Sequence, residues 1–213
     1  MAEGLRERKK RQTRQHISDT ATGLFLERGF DAVTIAEIAE AADVSVNTVY
    51  NYFATKEDLF LDRSKEVTTR LARWVRGRPS GESAAAAVLR ELRAEVEVVS
   101  PRVGLVAGWE RFLLVVHAAP TLRSSLWGMQ QEVRENLEAE LRAELATGPA
   151  DPMPHLIAGQ ITWAHEATMS FIGTEMMAGR PPEEVSREAL AVLDEIEDLL
   201  SAKVHDYAVR TPR

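Results

Sequence analysis

Apolar residues recur at intervals of three and four along almost the whole chain, which is the spacing of one face of an α-helix. The first such stripe consists of Ile17, Ala21, Leu24 and Phe25. It predicts a helix from about Arg8 to Arg28, which Gly29 ends because glycine adopts the backbone conformations common after a helix C-terminus. The strict alternation of apolar and polar residues that marks a strand is absent from the sequence. The pattern therefore predicts an all-α protein of about nine helices.

The later part of the chain shows the same spacing, interrupted by breaks rich in glycine and proline. One long helix is predicted from Lys56 to about Val75, before the break at Gly77–Gly81. Ser100 and Pro101 are expected to start a further helix, and Pro120 to end it, because proline lacks the N–H that a helix interior needs. The other predicted helices span residues 82–99, 121–146, 155–178 and 182–206.

Residues 34–53 predict two short helices joined by a tight turn. Thr34 and Glu37 have the spacing of a capping box at the start of the first helix, and Ser45 is the expected N-cap of the second. Asp43 lies in the turn, where aspartate is among the few residues besides glycine that tolerate a left-handed conformation. This arrangement indicates a helix-turn-helix, and the alternative is an ordinary capped hairpin within a helical bundle.

The second of these helices is expected to present a polar face. Val46, Val49 and Phe53 have the spacing of an inward stripe. The outward residues are then Asn47, Thr48, Asn51 and Tyr52, with Tyr50 beside them. Such side chains suit a DNA groove, since asparagine pairs with an adenine edge, a threonine methyl contacts the thymine methyl, and a tyrosine hydroxyl donates to phosphate. Lys56, just after the cap-like Thr55, is expected to meet the DNA backbone.

The distribution of charge matters more than its sum. The chain carries 26 Lys and Arg residues against 33 Asp and Glu residues, a formal net charge of −7. A basic arm nevertheless precedes the helix-turn-helix, with Glu7 among the cations Arg6, Arg8, Lys9, Lys10, Arg11 and Arg14. Such an arm attracts phosphates while the acidic body is kept off DNA. The alternative is a solvated terminal segment with no partner.

Several classes of protein are excluded or disfavoured by composition. With no cysteine, the chain has no disulfide, thiolate metal site or redox thiol. No run approaches the roughly 18 apolar residues of a membrane span, and no apolar segment typical of a signal peptide follows the basic residues. We therefore expect a cytoplasmic protein without cofactor or metal.

Residues 8–60 resemble the DNA-binding domain of the TetR family of bacterial transcriptional regulators. The resemblance rests on Leu24-Phe25, Arg28-Gly29-Phe30, Val33-Thr34, Ile38-Ala39, Val44-Ser45, Thr48-Val49-Tyr50, Phe53 and Lys56-Glu57-Asp58-Leu59. It implies that residues 46–52 enter the major groove. The implied DNA-binding set is Thr34, Tyr50, Tyr52 and Lys56 at phosphates, Thr48 in the groove, Val46, Asn47 and Asn51 at positions that vary with the operator, and Ser45 at the helix start. Asp43 and Tyr52 depart from the family pattern, which commonly has Gly or Asn and His there.

The last two predicted helices carry apolar residues on more than one side. In the final helix one stripe is Val185, Ala189, Val192, Ile196 and Leu199, and a neighbouring one is Leu193, Leu200 and Val204. A second apolar stripe indicates a partner, and the family resemblance implies a homodimer formed by these helices. The expected interface residues are Gly159, Ile172, Met176, Val192, Ile196 and Leu199. The alternative is that both stripes belong to one thick core.

The middle helices carry bulky apolar residues with a few polar ones, the usual composition of a small-molecule pocket. The candidates are Trp109, Phe112, His117, Trp127, Met129, Trp163, His165, Glu166, Met169 and Phe171. The alternative for each is a place in the core. His165 and Glu166 begin a pattern like the zinc-protease motif His-Glu-x-x-His, but Met169 stands where the second histidine would be, so that chemistry fails.

Taken together, these features predict a DNA-binding domain over residues 1–60 and a helical effector-binding and dimerisation domain over 61–213. The expected function is that of a homodimeric repressor on a palindromic operator, released by a small apolar or amphipathic effector. An effector-independent or partner-controlled DNA-binding protein is the alternative, and an enzyme on a helical bundle is the remote one.

Overall fold

The structure is a computed structural model that describes residues 4–62 and 64–211, with only the backbone of Ser64. No strand occurs in the described residues. The α-helices are α1 (Leu5–Arg28), α2 (Ile35–Ala41), α3 (Val46–Tyr52), α4 (Lys56–Phe60), α5 (Ser64–Thr68), α6 (Arg70–Gly77), α7 (Ala84–Glu97), α8 (Trp109–Ala118), α9 (Pro120–Leu145), α10 (Met153–Met177), α11 (Pro182–Leu199) and α12 (Ala202–His205), with a 3₁₀ turn at Pro101–Val103. The all-α fold is thus confirmed. Across the described ranges, no helix has the length and apolar character needed to cross a membrane.

Contacts divide the chain into two compact units, which we describe separately. The first unit comprises Met1–Lys65 together with Leu114–Trp127, and the second comprises Glu66–Leu113 together with Gly128–Arg213. The expected division at residue 60 assigned 114–127 to the larger domain, whereas these contacts group it with the first unit. The domain boundaries themselves stay a prediction.

The first unit is built around the buried face of α1. Ile17, Ala21 and Phe25 have no exposed surface, as the apolar stripe predicted. The chain turns at Gly29, whose φ of 84° favours glycine and whose N–H donates to the carbonyl of Phe25 at 2.9 Å. Phe30 then folds back, its ring centroid 4.9 Å from that of Phe25. This cluster holds α1 to the short helices that follow.

The second unit has a core centred on α7. Val88, Leu92 and Val96 have no exposed surface, and α10 and α11 pack against the same helix. Small residues on α7, such as Ala84 and Ala87, let neighbouring backbones approach closely. The unit's apolar centre is therefore shared by the last long helices and α7.

The C-terminal segment is attached to the loop after α6 by a buried arginine. The guanidinium of Arg78, 2% exposed as a residue, donates to the carbonyls of Val75, Glu82 (3.0 Å) and Ala208 (2.6 Å) and to the Glu144 carboxylate (2.6 Å). A buried guanidinium is tolerated only when its donors are satisfied in this way. Nothing in the local sequence pattern marked Arg78 as a core residue.

Three predicted helix boundaries were wrong. The long helix expected from Lys56 to Val75 is divided into α4, α5 and α6, with Leu61 (φ −104°, ψ 32°) and Thr69 (φ −99°, ψ −1°) outside ideal helical geometry. The helix expected to start at Ser100 and Pro101 has only a 3₁₀ turn there, and α8 begins at Trp109; its predicted end before Pro120 is confirmed, since α8 ends at Ala118 and Pro120 begins α9, where its missing N–H is tolerated. The last helix ends at Leu199, where Leu200 turns to an extended ψ of 133°. In each case apolar spacing continues across the break, so periodicity does not reveal it.

Candidate nucleic-acid interface

The first helix of the predicted helix-turn-helix starts with a complete capping box. The backbone N–H of Glu37 donates to the Thr34 hydroxyl at 3.2 Å, and the N–H of Thr34 donates to the Glu37 carboxylate at 2.8 Å. Arg28 donates to the other carboxylate oxygen at 2.6 Å. This hydrogen bond from Arg28, followed by the donors of Thr34, lowers the pKa of Glu37 to about 2. The Glu37 carboxylate of this capping box therefore stays ionised at any ordinary pH.

The turn and the second cap also follow the sequence prediction. Asp43 has φ 52°, and the N–H of Val44 donates to the carbonyl of Ala39 at 2.9 Å, which closes the turn. The Ser45 hydroxyl accepts from the N–H of Thr48 at 3.0 Å and lies 2.8 Å from the Thr48 hydroxyl. Ser45 thus begins α3 as its N-cap. The caps of Thr34 and Ser45 fix the first residues of α2 and α3, respectively.

The side of α3 away from the core is polar and accessible. Val49 is fully buried and the following Phe53 is 2% exposed, whereas Tyr50 is 54% exposed. Asn47 and Asn51 are exposed, and Thr48 and Tyr52 are half-buried. The inward placement predicted for Val46 was wrong, because this residue is 41% exposed. Val46 is the first residue of α3, and a helical side chain points towards the N-terminal end of its helix, so the methyls of Val46 extend past the start of α3 into solvent.

The basic arm is helical. Helix α1 already begins at Leu5, so the cations at 8–11 lie on its first two turns, and all four are exposed. A cleft of about 390 Å³ lies beside them, lined by Arg6, Glu7, Lys9, Lys10, Thr13 and Tyr52. The structure thus brings Tyr52, at the end of α3, next to the arm. Thr13 was not among the predicted site residues.

Arg14 differs from the rest of the arm. Its Nε donates to Oδ1 of Asp62 at 2.7 Å, its Nη1 donates to the carbonyl of Tyr52, and its Cζ lies 4.2 Å from the centre of the Phe53 ring. Sequence reasoning did not find Asp62 as a partner, because the two residues are 48 positions apart and no local spacing links them.

Lys56 is also engaged with the protein itself. Its Nζ donates to the carbonyls of Phe30 at 2.8 Å and Val33 at 3.1 Å, and lies 4.3 Å from the centre of the Phe30 ring. Thr55 and Asp58 form the capping box that starts α4. An ammonium group has three N–H donors, so one of them stays available for a further acceptor.

The predicted pocket residues lie in several different environments. Trp109 and Phe112 stack at 4.6 Å between ring centroids, and Met169 and Phe171 pack against the core of the second unit. His117, Trp127, Trp163 and Glu166 are exposed, and Met129 is half-buried. The other described cleft, of about 270 Å³, is lined by Thr69, Ala72, Arg73, Arg76, Asn136, Ala139, Glu140 and Ala143. Neither described cleft includes a predicted pocket residue.

Two polar residues of the predicted pocket, His165 and Glu166, have shifted pKa values. Burial lowers the pKa of the His165 imidazole to about 4, and the nearby positive charge of Arg70 lowers it further. Its neighbour Glu166 is exposed, yet partial desolvation raises the pKa of that carboxyl while the charge of Arg134 opposes the rise. His165 is therefore uncharged at neutral pH, and Arg70 is a buried cation that sequence reasoning had missed.

The predicted interface residues separate into two groups. Ile172, Met176 and Ile196 are at most 5% exposed within one chain. A side chain already covered by its own subunit has little surface to offer a second one, so these three pack in the core of the second unit, and the dimer interface itself stays a prediction. Leu199 is 72% exposed, and Gly159 and Val192 are half-buried. The helices also expose apolar residues that were not predicted, namely Leu156, Trp163 and Met177 on α10.

Comparison with known proteins points to one family. The sequence profile described as bacterial regulatory proteins, tetR family, matches residues 17–62. The HTH-type transcriptional regulator TcmR of Streptomyces glaucescens is 35% identical over 91 residues, which are 43% of this chain and 40% of TcmR. The chain thus matches less than half the length of this curated relative. The relatives found are transcriptional regulators and not enzymes.

Solved structures extend the likeness of fold to nearly the whole chain. NalD of Pseudomonas aeruginosa, described as the secondary repressor of the MexAB-OprM multidrug efflux pump, has a TM-score of 0.57 at 19% identity, covering 87% of this chain and 96% of NalD. A complex of SmeT with triclosan has a TM-score of 0.60 at 15% identity, covering 95% of this chain and 99% of SmeT. At these identities the likeness establishes the fold alone.

Proposed function

We propose that this chain is a member of the TetR family of bacterial regulatory proteins. On that premise, we infer that it is a homodimeric transcriptional regulator, which represses genes by binding a palindromic operator. The observation that carries the proposal is the exposed polar face of α3, held by two caps and flanked by the cationic cleft of α1. A groove-reading helix needs both features, since base edges provide specificity and phosphates provide most of the attraction. We propose accordingly that it acts in the bacterial cytoplasm, where such a duplex is found.

The exposed residues of α3 divide into two proposed roles. Asn47 and Asn51 carry amides suited to base edges, and Val46 carries methyls suited to the thymine methyl. Tyr50 and Tyr52 carry hydroxyls that donate to phosphates, and the third N–H of Lys56 does the same. Thr34 donates its one hydroxyl proton to the Glu37 carboxylate at 2.8 Å, so its proposed phosphate contact requires that hydroxyl to turn away from Glu37. Thr48 shares its hydroxyl with the Ser45 cap, so we propose that its methyl, and not its hydroxyl, meets the groove. Ser45 acts as the cap that sets the helix start.

The two roles predict different responses to substitution. We expect Asn51→Ala to change base preference at one operator position, costing about 1–3 kcal/mol there. Tyr50→Phe should instead weaken binding by the same factor for every duplex sequence, because a phosphate contact carries no sequence information. The measurement is selection of duplexes from a randomised pool by each variant, followed by gel-shift titration of the winners.

Asp31→Asn, an exposed change outside the proposed interface, serves as the matched control and should behave as the wild type. Unaltered base preference for Asn51→Ala and for Asn47→Ala would refute the reading role of α3. Failure of the wild type to enrich any sequence would refute the proposed function itself.

We propose that α10 and α11 form the dimer interface through residues that a single chain leaves open. Leu156, Trp163 and Met177 lie at multiples of seven residues along α10 and are 55%, 42% and 39% exposed. Seven residues are nearly two helical turns, so these side chains follow one line on the helix. On α11, Val192 and Leu199 have the same separation. Gly159, between Leu156 and Trp163, has open space where a side chain would stand, which lets a partner helix approach.

Trp163→Glu is expected to dissociate this dimer. A buried charge at the centre of an apolar interface, together with the lost aromatic contact, should raise the dimer dissociation constant by about 30-fold or more. Sedimentation velocity over a concentration series measures it. Val98→Glu is the control, because Val98 is a 72% exposed apolar residue at the end of α7 and lies outside the proposed interface. A Trp163→Glu variant that stays as dimeric as the control would contradict the proposal.

We propose that the second unit binds an apolar or amphipathic effector beside α8 and α10. In support, Trp109 and Phe112 form a stacked, half-buried pair, and uncharged His165 offers a polar contact on α10. A neighbour in fold is described as a complex with triclosan, a chlorinated diphenyl ether. An effector would release DNA only by binding more tightly to a state with lower operator affinity. Adding diphenyl ethers, fatty acids and planar aromatics to the gel-shift assay above tests this, and release by none favours an effector-independent regulator.

A further inference from the structure

Arg14 joins three places in the first unit. Its guanidinium contacts the carboxylate of Asp62 at 2.7 Å, the carbonyl of Tyr52, and the face of the Phe53 ring at 4.2 Å. The Asp62 side chain is 12% exposed and that of Arg14 is 40% exposed. The pair is thus partly shielded from solvent, and the Asp62 carboxylate largely neutralises the positive charge of Arg14 within the protein.

The contact with Tyr52 is at the end of α3. Tyr52 is the last residue of that helix and Phe53 its C-cap, where backbone carbonyls have no partner within the helix. A guanidinium satisfies such a carbonyl and complements the negative end of the helix dipole. Asp62 lies two residues beyond the end of α4. Arg14 therefore connects α1 with the ends of both α3 and α4.

We propose that Arg14 is a positioning residue for DNA recognition: together with Asp62 it sets where the end of α3 lies on α1, and it does not bind phosphate. The inference rests on the proposed DNA-binding function. It separates Arg14 from the exposed cations at 8–11, with which the sequence had grouped it.

The consequence concerns the residues that α3 presents. Asn51 and Tyr52 are in its last turn, so a small displacement of that end moves a proposed base contact and a proposed phosphate contact together. Recognition side chains must be held within roughly half an ångström of their working positions. A second tie between α1 and α4 is independent of Arg14, because the Ser18 hydroxyl donates to the carbonyl of Leu59 at 3.2 Å. Loss of Arg14 should therefore free the end of α3 while α1 and α4 stay joined.

A double-mutant cycle tests the proposal with the full-length protein. The variants are Arg14→Lys, Asp62→Asn and their combination, titrated against a duplex that the wild type enriches from a randomised pool, over a series of salt concentrations. Lysine keeps the positive charge but has one nitrogen, which cannot contact both Asp62 and the Tyr52 carbonyl. We expect each single variant to lose affinity by about tenfold, and the double variant to lose no more than the worse single one. The slope of log affinity against log salt should stay at the wild-type value.

Lys10→Gln is the matched phosphate control, since Lys10 is exposed in the cationic cleft. It should reduce the salt slope by about 0.9, the value for one lost phosphate contact. Melting temperatures, measured without DNA, ensure that every variant is folded at the assay temperature.

Five results would overturn the inference. Near-normal affinity of Arg14→Lys at an unchanged melting temperature would show that the charge of residue 14, and not its pairing, is what matters. Unchanged affinity of Asp62→Asn at an unchanged melting temperature would show that Asp62 plays no part in recognition. Independent, additive losses would show that the two residues do not act as a pair. Lower melting temperatures with unchanged affinity would make the pair merely structural. If the wild type enriched no duplex, the proposed function would fail together with this inference. If the wild type enriches a duplex and Lys10→Gln lowers the salt slope as expected, a failed prediction for Arg14 counts against this inference alone.

Discussion

Replacing Arg8, Lys9, Lys10 and Arg11 together by glutamine should weaken operator binding on the order of 100-fold at about 0.1 M salt. All four side chains are exposed on the first turns of α1, beside the cleft that includes Tyr52. Each phosphate that a cation neutralises releases counterions, so the slope of log affinity against log salt should fall by about 3 to 4. The loss should be the same for operator and random duplexes, because phosphate contacts do not read sequence.

The measurement is a gel-shift or fluorescence-anisotropy titration at several salt concentrations. A matched control removes the same charge from the second unit, at the exposed cations Arg73, Arg111, Arg187 and Lys203. If long-range net charge alone were responsible, the control would lose as much affinity as the arm variant. An arm variant with an unchanged salt slope would show that the arm is a solvated segment, which is the alternative that the sequence left open.

The largest effect on stability is expected for Arg78→Met. Methionine has a similar length but leaves the Ala208 carbonyl without its guanidinium donor and Glu144 without its cation, while the carbonyls of Val75 and Glu82 keep only the backbone N–H groups of residue 78 and Arg210. Removing one partner from such a buried charged network costs about 3–5 kcal/mol, since the remaining groups stay desolvated and unpaired. In a protein of this size that corresponds to a melting temperature lower by roughly 10 °C.

Thermal unfolding followed by circular dichroism checks this prediction, with Arg76→Met as the control. Arg76 also pairs with a glutamate of α9, Glu140, but its side chain is 68% exposed. An exposed ion pair contributes about 0–1 kcal/mol, so this variant should melt close to the wild type. Equal melting temperatures for Arg76→Met and Arg78→Met would contradict the role assigned to Arg78 in holding the C-terminal segment.

The local rules that predicted the helix-turn-helix were reliable because they act over three or four residues. The capping boxes of Thr34 and Thr55, the cap of Ser45 and the left-handed Asp43 all involve a side chain and its immediate neighbours. Such interactions form in the same way whatever surrounds the helix. The position of α3 in the chain, and the polar character of its outer face, could therefore be predicted from residues 34–53.

Helix boundaries were less predictable where no glycine or proline marks them. The interruptions at Leu61 and Thr69 occur in a segment whose apolar spacing continues unbroken. Propensity differences of a few tenths of a kcal/mol cannot decide such cases, because tertiary packing contributes more. The same applies to Leu200 after α11, a buried apolar residue in extended conformation.

The amino-acid sequence by itself determined the all-α fold, the caps and turn of the helix-turn-helix, and the resemblance of residues 17–62 to the tetR-family regulatory proteins, since each depends on residues close together in the chain. Only the tertiary structure decided which apolar stripes are covered, because periodicity places Ile172 and Leu199 alike on helix faces but does not say what lies against each. The tertiary structure also decided which cations form ion pairs or hydrogen bonds within the protein. Arg14 meets Asp62 across 48 positions and Arg78 meets Ala208 across 130, and pairings at such distances arise from how helices pack, which no local pattern records.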